Sequence, residues 1–319
     1  MQSLSQSLSK NLPLLIILTA AVTFFSPVYL KTPSWVPGGL LGVVMFFTGL
    51  SMNIDAIKAV RYKKKELFVA SSFKWLFTAG ISILLALLLF RSHQSIAAGL
   101  ILTGSVPSAT AASLYTFLAG GNTSLVISAS LLDIIISPLA TPLAMNTFSG
   151  TAVAVSFLDL LKSFLFIVIL PISAGIAFQK LFPRMSSASP SITRVGSSFS
   201  LILIIHTLVG TGTKALKSEI ELLPLVVFAV VIQVLLPMLI AYLTAKKLNI
   251  HEEDARAILF QAGLCNSALA AILSFEYFGE LAAVPAIINM ITNLSAGALI
   301  SNYFSKKDAS YSASLSETL

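Results

Sequence analysis

Two ionisable side chains fall inside long apolar stretches of the sequence, where a charge is costly unless it is paired or faces water. Lys74 lies in VASSFKWLFTAG, nine residues after the basic cluster RYKKK (61–65), and Asp133 lies in ISASLLDIIISP, eleven residues after Asn122. Burial and pairing shift a pKa in opposite directions, so a change in access to water can release or capture a proton at such groups. The two residues predict either a permanent ion pair or a pair whose protonation changes.

The elements that must position these residues are membrane-spanning helices. Hydrophobic residues make up 56% of the 319-residue chain and charged residues 10%, with a mean hydropathy of +0.91, far from globular averages. A spanning helix needs about 20 apolar residues. At about 1.5 Å per residue, Lys74 and Asp133 lie roughly 13 and 16 Å from the inner ends of their helices. Ten spans are predicted: 12–30, 37–55, 66–89, 96–119, 123–147, 153–179, 197–213, 222–245, 257–278 and 281–304.

The distribution of lysine and arginine predicts the orientation of the chain. With ten spans and an inside amino terminus, fourteen of these residues fall on the inner side and at most five on the outer side. Positive charge is favoured on the cytoplasmic side. Both termini are therefore expected in the cytoplasm, with the protein in an inner or plasma membrane. This topology accounts for the net charge of +7, and no nucleic-acid partner is predicted.

The chain contains an internal similarity. GSVPSATAASLYTFLAG (104–120) aligned with GLCNSALAAILSFEYFG (263–279) gives seven identical pairs at a constant offset. The two segments would cross the membrane in opposite directions, as in an inverted-topology repeat, although small residues in membrane helices also match by chance. We predict a first five-helix repeat over 1–150, a second over 151–305, and a mobile C-terminal tail over 306–319.

Both similar segments carry a helix breaker in mid-span. Pro107 interrupts the first, and Cys265, Asn266 and Ser267 follow Gly263 in the second. Freed backbone groups are tolerated in a membrane where they find partners or face a wet cavity. Paired interruptions in corresponding helices point to a transporter binding site, while ordinary kinks are the alternative.

PSATAASLYTFLAGGN (107–122), SPLATP (137–142) and QAGLCNSALAA (261–271) resemble the two crossover regions of the bile acid:sodium symporter family. The resemblance implies an all-α membrane fold of ten helices in two inverted repeats, with broken helices 4 and 9 crossing at the midplane. Spans 1, 2, 6 and 7 would form a panel domain, and spans 3–5 and 8–10 a core domain. A small organic anion, bile-acid-like or pantoate-like, would bind between them and be moved by alternating access.

The resemblance also implies which residues contact the substrate. Thr110, Asn266 and Asn293 stand where similar residues do so in the family, and Ser113 is the fourth predicted substrate contact. Hydroxyl and amide groups, together with the amino-terminal dipoles of half-helices, can hold a carboxylate without a full counter-charge.

The family's sodium sites are largely replaced in this sequence. Gln261 stands at the position of the family's helix 9 glutamate, and Cys265 at that of a glutamine before the helix 9 asparagine. The helix 3 position that usually offers a glutamine to sodium is Lys74. Sodium, a hard cation, needs oxygen ligands, and Ser130 is one of the few that remain. We therefore expect the Lys74 ammonium to replace a cation, with Asp133 as its partner.

Transport of a small organic anion across the bilayer is the predicted function, either proton-coupled or as a uniporter. A sodium-coupled symporter is the alternative, and a channel or a transporter-derived sensor is more remote. Intramembrane catalysis is not predicted, since the sequence has no H-E-x-x-H and no G-x-S-x-G. No cofactor or resident metal is predicted. The sequence does not identify the substrate, the direction of transport or the oligomeric state.

Overall fold

The computed structural model describes residues 2–26, 29–33, 35–52, 62–148, 156–182 and 189–317. All long regular elements in these ranges are α-helical, and an isolated antiparallel bridge joins Ser108 to Cys265. The helices are α1 (Gln2–Phe25), α2 (Trp35–Ser51), α3 (Lys64–Leu89), α4 (Gln94–Gly104), α5 (Ala111–Leu118), α6 (Thr123–Phe148), α7 (Phe157–Leu181), α8 (Ser189–Ser218), α9 (Leu223–Lys247), α10 (Glu252–Gly263), α11 (Ser267–Phe278) and α12 (Glu280–Glu317).

Length and apolar composition make several of these helices fit to cross a membrane. Among the described residues, six qualify on both criteria: α3, α6, α7, α12, the Val195–Ala215 part of α8, and α9 with the short turn before it. Shorter apolar helices occur at Leu14–Phe25, Trp35–Ser51, Gln94–Gly104 and Ser267–Phe278. The predicted class, an all-α membrane protein, is confirmed. Ten crossings and an inverted repeat stay predictions, and the predicted boundary between 150 and 151 lies outside the described residues.

Two of the long helices contain a π-helical segment. It covers Phe73–Thr78 in α3 and Leu165–Ile169 in α7. The i→i+5 hydrogen bonds of such a segment form a wider turn that accommodates an additional residue, and π-helical turns occur often at functional sites. Lys74 is the second residue of the segment in α3, so the irregular turn lies at the buried lysine.

The helices pack in two groups. In the first, α2 contacts both α7 and α8, and α1 contacts α8. Close approach of α2 and α7 depends on two glycines, because a Cβ at Gly49 would overlap the Ile172 carbonyl and one at Gly175 would overlap the Phe46 carbonyl. In the second group, α9 packs on α10, α11 on α12, and α4 on α3, α11 and α12.

The carboxyl-terminal helix is longer than the predicted span. α12 continues through the predicted tail as far as Glu317, and Asp308 forms an ion pair with Arg256. The tail is therefore helical over 306–317, while its mobility stays a prediction. Three of the fourteen basic residues predicted on the inner side lie outside the described residues: Lys58, Arg61 and Arg184.

Candidate functional site

The two helix interruptions meet in the structure. Helical structure stops between α4 and α5 and again between α10 and α11. There the Ala109 amide donates to the Leu264 carbonyl at 2.8 Å, and the Asn266 amide donates to the Pro107 carbonyl at 2.8 Å. Each interruption therefore supplies hydrogen-bond partners for the backbone of the other, which meets the requirement for non-helical backbone inside a membrane. α5 and α11 both begin beside this crossing.

A cavity of about 290 Å³ lies beside the crossing. Residues of α1, α2 and α8 form one side, and residues of α5, α11, α12 and the two interruptions form the other. Its described lining contains no aspartate, glutamate, lysine, arginine or histidine. The lining residues are Leu12, Ile16, Val44, Met45, Thr48, Ser51, Ala109, Thr110, Ala111, Leu114, Tyr115, Thr193, Ser197, Ser198, Leu201, Cys265, Asn266, Ser267, Ala268, Met290, Asn293 and Leu294.

Three of the four predicted substrate contacts line this cavity: Thr110, Asn266 and Asn293. Asn266 also caps α11, since its Oδ1 accepts a hydrogen bond from the Leu269 amide at 3.2 Å. Ser113 is not part of the lining, and its hydroxyl donates to the Thr110 carbonyl at 2.8 Å. A direct substrate contact by Ser113 stays a prediction that this geometry does not favour.

Lys74 is fully buried and turned toward the crossing. Its Nζ lies 2.9 Å from Cys265 Sγ and 3.5 Å from the Gly104 carbonyl oxygen. An ammonium has three N–H donors, so these two acceptors leave it incompletely paired. Among the described residues, no carboxylate oxygen lies within 4.0 Å of Nζ. The direct ion pair with Asp133 expected from the sequence is therefore absent.

Asp133 is also fully buried but is held by neutral donors. Trp75 Nε1 donates to Oδ1 at 2.8 Å, and Ser108 Oγ and Gln261 Nε2 each donate to Oδ2 at 2.7 Å. Ser130 completes the cluster by donating to Gln261 Oε1 at 3.2 Å. These contacts take the place of the ammonium and tie α3, α6 and α10 to the first interruption.

Two of the residues that hold Asp133, Trp75 and Ser108, were not expected from the sequence. Trp75 follows Lys74 directly, and a buried indole N–H normally needs an acceptor. Ser108 follows Pro107, where the broken helix leaves room for a side-chain hydrogen bond. Both signals were present in the sequence, but the pairing of Trp75 with a residue 58 positions away depends on the fold.

A second buried polar group was also missed. Gln233 on α9 and Asn289 on α12 are fully buried, and Asn289 Nδ2 donates to Gln233 Oε1 at 3.1 Å. Their signal was a lone amide inside an apolar span, which is costly in a membrane without a partner. The chain of hydrogen bonds that they begin ends at Asn293, in the cavity wall.

An ionic cluster lies away from the cavity, at the start of α10. Arg256 donates to both carboxylate oxygens of Asp308, at 2.6 and 2.8 Å, and to Glu252 at 3.0 Å. Its hydrogen bonds with Asp308 raise the pKa of the guanidinium despite the opposing effect of burial, and those with Glu252 add to this. Lys63 pairs with the buried Asp254 at 2.5 Å. The cluster ties the end of α5 and the start of α10 to α12, since Arg256 also donates to the Ala119 carbonyl.

The structure is that of an all-helical membrane protein whose two interrupted helices are hydrogen-bonded to each other beside a cavity with no charged residue in its described lining. The family model described as the Sodium Bile acid symporter family matches residues 39–219, more than half of the chain. The chain belongs to this family, which is a family of transporters.

Similar proteins carry transporter names. The chain is 30% identical over 271 residues to "Uncharacterized sodium-dependent transporter YocS" of Bacillus subtilis (strain 168), covering 84% of this chain and 82% of that protein. It is 27% identical over 271 residues to "Probable sodium/metabolite cotransporter BASS1, chloroplastic" of Arabidopsis thaliana, covering 84% of this chain and 66% of that protein. The recognition of the family from the crossover motifs is confirmed.

Proposed function

We propose that this protein is a secondary transporter that moves a small organic anion across a membrane by alternating access. The observation that carries the proposal is the neutral cavity at the two helix interruptions. α5 and α11 begin at its wall, and the first amides of a helix lack intrahelical acceptors and carry partial positive charge. A carboxylate can be held there by N–H groups without a buried counter-charge.

The position of the cavity supports alternating access. One wall comes from α1, α2 and α8, and the other from α5, α11 and α12. A relative movement of the two helix groups would change the opening of a cavity that lies between them. We propose that α1, α2, α7 and α8 act as the panel, that the remaining helices act as the core, and that the two groups descend from inverted repeats.

We further propose that transport does not need sodium and is either proton-coupled or a uniport. Support comes from Lys74, whose ammonium lies against Cys265, at positions where the family offers sodium ligands. A sodium ion at this place would be repelled by the positive charge of the ammonium. Asp133 of α6 is joined to α3 by a hydrogen bond from Trp75, the residue that follows Lys74. Proton movement between water and these buried groups would accompany a change in access.

Sodium-coupled symport is a second candidate, favoured by a separate observation. Asp133, Ser108, Ser130 and Gln261 bring several oxygen atoms together around one buried carboxylate, and oxygens are the ligands of hard cations. The names of the two relatives described above also include sodium. The donors that now saturate Asp133 would have to turn away to admit the ion.

Thermal stability of the purified protein in detergent tests the coupling ion. Sodium chloride is compared with choline chloride at matched ionic strength, because a ligand that binds the folded state stabilises it by mass action. No difference between the salts is expected. A saturable, sodium-specific rise in Tm would refute sodium independence and favour the second candidate.

Countertransport tests the carrier itself. Proteoliposomes loaded with an unlabelled organic anion should take up the labelled anion faster than empty ones, since alternating access exchanges substrate across the membrane. Uptake that is independent of the internal anion would indicate a channel. In a proton-coupled carrier, Lys74→Ala and Asp133→Asn should abolish accumulation driven by a pH gradient, and its retention in both variants would exclude this role.

In the cell, we place the protein in an inner or plasma membrane with both termini in the cytoplasm. The support is the predicted excess of lysine and arginine on one side of the membrane.

A further inference from the structure

The first turn of α3 and the last turn of α9 lie side by side at one end of the helix bundle. Lys65 Nζ donates to the Leu248 carbonyl at 2.8 Å, and Leu248 is the residue after the end of α9. The two helices also contact each other further along their length. The groove between α3 and α9 therefore ends at two turns that carry lysines.

Two of the lysines at this end are neutralised by carboxylates. Lys63, which precedes α3, pairs with Asp254 at 2.5 Å, and Lys246 pairs with Glu252 at 2.8 Å. Both carboxylates belong to the first turn of α10. These ion pairs hold the ends of α3 and α9 against α10, and they leave little of the charge of either lysine for a ligand.

Three further lysines at this end form a surface that we call the lysine patch. Lys64, Lys65 and Lys247 are exposed, and among the described residues none of them has a carboxylate oxygen within 4.0 Å. Lys65 uses one of its three N–H donors on the Leu248 carbonyl. Glu66, in the same turn of α3, offsets part of the charge, so the patch keeps an excess of positive charge.

An exposed apolar side chain lies one turn from a lysine of the patch on each helix. Phe68 follows Lys64 by four positions on α3, and Leu243 precedes Lys247 by four positions on α9. Residues four apart lie on the same side of a helix, and Phe68 and Leu243 are 73% and 55% exposed. Each helix therefore presents a cation at its end and a hydrocarbon surface one turn deeper.

The depth of these hydrocarbon surfaces favours a lipid as the ligand. Both belong to parts of α3 and α9 that are long and apolar enough to cross a membrane. In a bilayer such surfaces are covered by acyl chains, while lysines at helix ends reach the level of the lipid head groups. A free phosphate or an acidic protein segment would meet the lysines but not the surface one turn deeper, whereas a lipid meets both.

We propose that the lysine patch binds an anionic phospholipid at the ends of α3 and α9. Its phosphate would lie against Lys64 and Lys247, and its acyl chains would lie against Phe68 and Leu243. Basic side chains at a membrane surface attract anionic lipids, while the choline of a zwitterionic lipid would add a second cation beside the lysines. Binding needs no movement of substrate, so the inference does not rest on the proposed function.

Thermal unfolding of the detergent-solubilised protein over a series of ligand concentrations tests the class of ligand. The ligands are dioleoyl phosphatidylglycerol, dioleoyl phosphatidylcholine with the same chains, and glycerol phosphate without chains. A ligand of the folded state raises Tm by mass action, so a saturable rise is expected with phosphatidylglycerol alone. An equal rise with phosphatidylcholine, a rise with glycerol phosphate, or no rise with any of the three would overturn the inference.

Removing two lysines of the patch tests its location. The double variant Lys64→Gln with Lys247→Gln should raise the phosphatidylglycerol concentration at half-maximal effect by roughly tenfold to thirtyfold, because each basic residue near a membrane surface adds to lipid affinity. Lys180→Gln with Lys306→Gln is the matched control, since both lysines are exposed, lie on the same predicted side of the membrane and carry the same charge. The control should change by less than threefold. An equal loss in both double variants would indicate a general effect of net charge and refute the site.

Two further variants test the electrostatic basis without removing a lysine. Lys64→Arg with Lys247→Arg keeps both charges and should bind phosphatidylglycerol like the unmodified protein. Glu66→Gln removes the neighbouring negative charge and should lower the concentration at half-maximal effect by roughly threefold or more. Weaker or unchanged binding in Glu66→Gln would refute the role of charge, and this variant decides the matter if the double glutamine variant does not fold.

Discussion

Replacing Asp133 with asparagine is expected to destabilise the protein through one particular donor. Asparagine keeps one acceptor oxygen and replaces the other with an NH2 group. The oxygen is best kept at the place of Oδ2, where Ser108 and Gln261 both donate. The new NH2 group then faces Trp75 Nε1, which now donates to Oδ1 at 2.8 Å. Two donors would meet, and the indole N–H of the half-buried Trp75 would lose its acceptor.

The size of this effect follows from the cost of an unpaired buried donor, about 1–3 kcal/mol. Trp75→Phe removes the same donor and keeps an aromatic ring. The double variant should therefore be more stable than the two single effects predict, by roughly 0.5–3 kcal/mol, as found for residues in direct contact.

Unfolding of all four proteins in detergent, followed by near-UV circular dichroism over a denaturant series, gives the double-mutant cycle. Leu76→Ala is a matched control, because Leu76 lies one residue beyond Trp75 and is 70% exposed. Its combination with Asp133→Asn should be additive. Additivity of Trp75→Phe with Asp133→Asn to within about 0.3–0.5 kcal/mol would refute the geometry of this cluster.

Three further changes test other parts of the molecule. Combining Lys74→Gln with Cys265→Gln removes the ammonium and adds two amide oxygens, so a sodium-specific rise in Tm over choline should appear; its absence would contradict cation replacement. Gly175→Leu forces a side chain against the Phe46 carbonyl, so unfolding should become easier by about 1–3 kcal/mol, and an unchanged midpoint would show that α2 and α7 are not in close contact. At Glu252, burial opposes ionisation, but hydrogen bonds from Lys246, Tyr242 and Arg256 outweigh it and lower the pKa from 4.5 to about 2. The ionised carboxylate therefore stabilises the folded protein fully above pH 4.5, and this contribution is lost as the pH falls toward about 2. The Tm difference between the unmodified protein and Glu252→Gln should therefore shrink over that range, and a constant difference would exclude ionisation as its cause.

The membrane class and the place of the site were determined by the sequence itself. Long apolar runs cannot fold in water with their surface exposed, so composition alone indicated spanning helices. Pro107 and the Cys265, Asn266 and Ser267 segment cannot continue a regular helix without partners, and both interruptions are found at the cavity. The crossover motifs were specific enough to identify the family, which the family comparison confirmed.

The hydrogen-bond partners of Lys74 and Asp133 were decided by the tertiary structure. Sequence depth placed Lys74 and Asp133 at a similar level, and opposite charge suggested that they pair. Helical phase and the π-helical segment instead turn Lys74 toward Cys265, while Trp75, one residue later, reaches Asp133. A hydrogen bond depends on the relative direction of donor and acceptor as well as on their distance. Trp75 and Asp133 are 58 positions apart, so no local sequence pattern shows whether their side chains point toward each other.

The amide of Asn293 shows the same limit. The sequence indicated a polar residue suited to a substrate, but an amide has both a donor and an acceptor end. The direction of this amide follows from the Cys265 carbonyl and from Asn289, whose own direction follows from Gln233 and the Leu100 carbonyl. The sequence determined that polar residues lie inside the membrane, and packing between distant helices decided in which direction their hydrogen bonds run.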